Sequence, residues 1–102
     1  MVNIMTIGLT DPHRIKELTE LYFSKEKPAY PDYLKKINNW GAGISEGKYR
    51  SIVIYECPEE KLYQAMVALT MRYNYYASKG GYSFEVTPLM GQADAMKIVQ
   101  GK

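Results

Sequence analysis

Residues 38–57 read NNWGAGISEGKYRSIVIYEC, and the fold follows from how this stretch is divided. It breaks at Glu46-Gly47-Lys48, where Gly47 can take the positive φ that a tight hairpin needs. Before the break, Asn38 to Ser45 alternates as a strand, with Trp40, Ala42 and Ile44 on one face. After it, Tyr49 to Cys57 places Val53, Tyr55 and Cys57 on one face and Ile52, Ile54 and Glu56 on the other. This second strand is mainly apolar on both sides, so each side must be covered by something.

Towards the C-terminus, Pro58-Glu59-Glu60 starts a helix with carboxylates at its positive end. Leu62, Met66, Leu69 and Tyr73 form its core stripe, with Ala65 alongside. Tyr63, Val67 and Met71 form a second stripe that expects a contact besides the sheet. Ser78 to Gly81 ends the helix, with Gly80 or Gly81 as a left-handed cap. Tyr82 to Met90 is a strand whose Pro88 belongs at a sheet edge, and Gln92 to Gln100 is a short terminal helix.

Towards the N-terminus, Val2 to Leu9 is another strand with two apolar faces. Asp11 can cap the helix that Pro12 begins, and Ile15, Leu18, Leu21 and Tyr22 form its inner side. Arg14, Lys16, Glu17 and Glu20 fall on the solvent side, and the helix is expected to end at Ser24 to Lys27. Pro28 and Pro31 break helix in Lys25 to Lys36, which reads as a solvated connection with one short turn near Asp32 to Lys35.

The order is β-α-β-β-α-β plus a tail helix, in a single domain spanning 1–102. This is the ferredoxin-like, split-βαβ pattern of an α+β protein: a four-stranded antiparallel sheet with two helices on one face. The other face is left open yet apolar, and a second copy packed sheet to sheet is its simplest cover. The formal net charge of +2 is too small to argue for nucleic acid. Cys57, the lone cysteine, makes no disulfide within the chain and suits a cytoplasmic setting. Met1 to Leu9 lacks the basic flank of a signal peptide, and no apolar run reaches the roughly 18 residues of a membrane span.

The glycine-spaced strand Trp40-Gly41-Ala42-Gly43, the junction Ile52 to Glu60 and the final strand Phe84 to Leu89 make the chain resemble the dimeric α+β barrel superfamily, in its small single-domain members. The resemblance implies a homodimer and a site between sheet and helices. Superfamily members include cofactor-independent monooxygenases, isomerases, haem enzymes and small-molecule sensors, so it does not choose an activity.

Gly41 and Gly43 share one bare strand face, roughly 7 Å long, which either admits a ligand or receives a closely packed helix. Trp40 can stack on a flat molecule or serve as core. Asn39 can donate to an oxyanion, as in the monooxygenase relatives, but its neighbour Trp40 points to the opposite face. Tyr55 and Glu56 are further candidates, Glu56 as an acid or base if buried, and Glu85 likewise. Arg72 and Tyr73, with Tyr75 and Tyr76, set a cation among aromatics that can hold an anion or simply suit a helix C-terminus. His13, the lone histidine, reads as a surface residue and not a haem ligand. Lys25, Lys27, Lys35, Lys36, Tyr30 and Tyr33 mix charge with rings, but no single-strand nucleic-acid signature accompanies them. No phosphate loop, nucleophile elbow or zinc pattern is present, and no metal or cofactor is expected.

The expectation is therefore a homodimer, joined through its sheet face, that binds a small apolar or aromatic molecule near Asn39, Trp40, Gly41, Gly43, Tyr55, Glu56 and Tyr73 and leans away from catalysis. The alternatives are an oxygenase or isomerase built on the same residues, and a structural or regulatory interaction module.

Overall fold

The computed structural model describes residues 1–23, 29–45 and 47–101, with 42–45 described by backbone alone. Four strands, β1 (Val2–Thr10), β2 (Lys35–Ser45), β3 (Lys48–Cys57) and β4 (Tyr82–Leu89), form one antiparallel sheet in the order β2-β3-β1-β4. Helix α1 (Ile15–Phe23) links β1 to β2, α2 (Leu62–Ala77) links β3 to β4, and α3 (Gln92–Val99) ends the chain. Each βαβ connection therefore steps over one intervening strand. The class is α+β.

The register assigns every strand residue to a face. Ile4 lies opposite Tyr55, and Thr6 lies opposite Val53 and Val86. These residues, with Cys57, make the helix-facing side, and all but the partly buried Val86 are buried beneath Ala65, Leu69 and Tyr73 of α2. The far side carries Met5 opposite Ile54 and Ile7 opposite Ile52, and Trp40 opposite Ile52 continues that row. All five of these except Trp40 are half-buried; Trp40 is half exposed. No apolar side chain of that row reaches the burial of the helix side. The second α2 stripe, Tyr63, Val67 and Met71, is exposed, as are Ile98 and Val99 of α3.

Several local expectations are corrected. Asp11 makes no side-chain cap at Pro12; its carboxylate instead lies 3.5 Å from Lys48, and its N–H donates to Gly81. The chain starts its first helix with a 3-10 turn, Pro12–Arg14, before α1. Arg14 does not face solvent. It donates to the carbonyls of Lys79 and Gly80, at 2.8 and 3.3 Å, and pairs with Glu17. That clamp explains Gly81: at φ +73 a Cβ there would strike the Arg14 side chain. Strand β2 begins at Lys35, three residues earlier than the apolar pattern suggests, because the backbone of Lys35 and Lys36 pairs with Glu56 and Tyr55 although their own side chains are polar. The turn near Asp32 is one hydrogen-bonded turn, Leu34 N–H to Pro31 at 3.1 Å, and Leu34 is buried. The expected end of the first helix, Ser24 to Lys27, lies outside the described residues, as does Glu46.

Candidate functional site

Helix α1 stands away from the β2-β3 half of the sheet, and a cavity of about 350 Å³ opens between them. Leu18, Tyr22 and Phe23 of α1 form its roof. Asn39 and Gly41 of β2, with Ser51 and Val53 of β3, form its floor. Tyr73 and Tyr76 close the side towards α2, Tyr82 comes from β4, and Tyr30 comes from the segment before β2. The presence of α1 and α2 residues around one cavity over Val53 places both helices on the same face of the sheet.

The space has a local cause. Gly41 lies opposite Ser51, and a Cβ built on Gly41 meets nothing within 4 Å. Its backbone is not in the left-handed region, so neither close packing nor φ requires glycine there. Gly8 is the contrast: a Cβ on it would collide with the Tyr82 hydroxyl and lie 2.9 Å from Ser51 Oγ. The β2-β3 register slips between Ala42 and Ile44, which puts Gly43 at an irregularity of the strand; its surroundings lie outside the described residues.

A chain of hydroxyls runs under the cavity. Thr6 donates to Tyr73 at 2.8 Å, Tyr73 and Tyr55 share a bond of 2.7 Å, and Tyr55 and Tyr30 share one of 2.8 Å. Tyr55 and Thr6 are wholly buried. The Arg72 guanidinium lies 3.7 Å from the Tyr30 ring centroid, and Lys36 Nζ lies 5.6 Å from it. Lys36 also donates to the Tyr22 hydroxyl at 2.6 Å. Tyr76 is 7% exposed, and among the described residues its hydroxyl has no hydrogen-bond partner.

Burial dominates the electrostatics. It drives Tyr55 far above the ordinary phenol range, with Tyr73 and Tyr30 adding to the effect. Burial also raises Tyr73 and Tyr82, and it pushes Tyr76 up to about 12 against the opposing charge of Arg72. These phenols are neutral near pH 7 and act as hydrogen-bond partners, not bases. Lys36 is raised: burial works against its charge, but the Tyr22 hydrogen bond and the nearby phenols outweigh that. The buried Cys57 thiol is pushed up by burial, which disfavours its reactive thiolate.

Of the residues singled out in the sequence, Asn39, Gly41 and Tyr73 line the cavity, and Tyr55 supports it from below. Trp40 and Glu56 do not join them. Trp40 pairs with Ile52, and Glu56 with Asn3 and Lys35, all on the far side of the sheet. Glu85 is exposed there too, opposite Ile7. The Asn39-Trp40 pair is thus split between two faces, as strand alternation requires. His13 is exposed.

The sequence reading missed Tyr30, Tyr82 and the α1 roof. Tyr30 and Leu34 sit in the stretch read as a solvated connection, yet Tyr30 is half-buried and Leu34 buried against the core. The spacing of Tyr76 from Arg72 and Tyr73 was the legible signal, since positions four and three residues apart are neighbours on a helix surface.

Among the described residues no group of histidine, cysteine and carboxylates is placed to hold a metal, and no helix is long and apolar enough to cross a membrane. Set against family models, curated proteins and solved structures, the chain matches none.

Proposed function

We propose that this domain binds a small, flat, largely aromatic molecule between α1 and the sheet, and that two copies pair through the far faces of their sheets. The observation that carries the first part is the tyrosine-walled cavity of about 350 Å³ over the bare Gly41 position. Its size and its lining of aromatic and aliphatic side chains, with a few polar groups, are those of small-molecule sites. The sheet order β2-β3-β1-β4, with both crossovers stepping over one strand, supports the ferredoxin-like reading. The half-exposed row of Trp40, Ile52 and Ile7 supports the pairing in the dimeric α+β barrel manner, because apolar rows of this kind on a sheet mark contact surfaces.

The test uses 2-methylnaphthalene as a neutral aromatic probe, with binding followed by calorimetry on the full chain. Saturable binding at one site per chain that is abolished by Gly41→Phe is the expected result. Absence of binding, or binding that Gly41→Phe leaves intact, contradicts the reading.

A further inference from the structure

Thr6, Tyr73, Tyr55 and Tyr30 are four hydroxyls joined by three hydrogen bonds. Each hydroxyl carries one hydrogen, so one hydrogen of the chain is not used within it. Thr6 donates to Tyr73, which fixes one end. If the unused hydrogen sat on Tyr55, it would be sealed in the core, since that side chain is 0% exposed. A buried donor without an acceptor is strongly disfavoured. On Tyr73 or Tyr30 the hydrogen meets the cavity, whose wall both residues form. The linked hydroxyls therefore present one donor to the cavity, at Tyr73 or at Tyr30.

Tyr76 is a second donor on the same cavity. Its hydroxyl is buried and has no acceptor among the described residues. Positive charge lies close by: Lys36 Nζ is 5.6 Å from the Tyr30 ring centroid and donates to the Tyr22 hydroxyl on the cavity wall. No aspartate or glutamate lines the cavity among the described residues. Two donors, a nearby ammonium and no lining carboxylate call for an anionic acceptor.

We infer that the cavity takes an aromatic carboxylate, its ring among the tyrosines and its carboxylate accepting from Tyr76 and from the cavity-facing end of the hydroxyl chain. The inference rests on the proposed ligand site and names the chemical class it holds. A neutral aromatic of the same shape fills the same space but leaves both hydroxyls without an acceptor, which is the basis of discrimination.

The experiment compares 2-naphthoate with 2-methylnaphthalene on the wild-type chain and on Tyr76→Phe. Tyr76→Phe removes a hydroxyl that has no partner to lose, so the variant is expected to fold. In the wild type, 2-naphthoate should bind roughly tenfold tighter or better, and Tyr76→Phe should remove most of that preference while leaving 2-methylnaphthalene within about twofold. Methylnaphthalene binding with no preference for naphthoate overturns this inference and leaves the cavity reading standing. A preference that survives Tyr76→Phe also overturns it. Binding of neither probe overturns both.

Discussion

Replacing Gly41 by phenylalanine should make the protein more stable and less able to bind. Glycine within a strand costs about 0.5–1 kcal/mol relative to alanine, and an aromatic residue on a strand gains up to about 1 kcal/mol more. Nothing lies within 4 Å of the new Cβ, and the ring would enter a cavity of about 350 Å³ floored by Val53 and roofed by Leu18. Burying part of that ring adds roughly 1 kcal/mol, from which the loss of side-chain freedom takes a fraction. The net gain is about 1–2 kcal/mol, which for a chain of 102 residues raises Tm by about 5–10 °C. Differential scanning calorimetry reads the stability, and calorimetric titration with 2-methylnaphthalene reads the binding, which should fall by more than about tenfold. A lower Tm would mean that Gly41 is needed for packing. An unchanged affinity would mean that the ligand sits elsewhere. Either result refutes the reasoning.

Gly8→Ala should behave oppositely and destabilise by about 1–3 kcal/mol in urea denaturation, because its methyl group collides with the Tyr82 hydroxyl. Tyr55→Phe should cost about 1–3 kcal/mol, since it removes the bonds of 2.7 and 2.8 Å to Tyr73 and Tyr30, whereas Tyr76→Phe should be neutral or stabilising by up to about 1 kcal/mol; paired denaturant melts read the contrast. Ile52→Lys places a charge between Trp40 and Ile7 on the far face, and light scattering after gel filtration should show a dimer in the wild type and a folded monomer in the variant. Stability should fall as pH rises above 10, because Tyr55, Tyr73, Tyr76 and Tyr82 have folded pKa values above the ordinary phenol value of 10.0, so the unfolded chain loses protons first. Their stabilising contribution is complete below pH 10 and declines towards the folded pKa of Tyr76 at about 12; absorbance of phenolate against pH should show these residues ionising together with unfolding.

The element order was legible because period-two alternation in Ile52 to Cys57 and the stripe from Leu62 to Tyr73 are strong local signals. The bare face at Gly41 was legible for the same reason: alternation places Asn39, Gly41 and their β3 partners on one side. The rest depended on tertiary placement. Tyr30 and Leu34 follow prolines in a basic segment with no period, and only packing against Tyr55 and the core fixes them. Arg14 looked solvated because its partners, the carbonyls of Lys79 and Gly80, lie 65 and 66 residues away in sequence. Trp40 and Glu56 were candidates by residue type alone; alternation already set them on the face opposite Asn39, Gly41 and Tyr55, and the register keeps them there.

The central claim is that the ligand occupies the helix side of the sheet. Amide chemical-shift mapping on the full chain during titration with 2-methylnaphthalene tests it most directly. The account predicts saturable shifts at Gly41, Val53, Tyr73 and Tyr76, with the Trp40 indole N–H unmoved. Shifts centred on Trp40, Ile52 and Ile54, or no shifts at all, would contradict it.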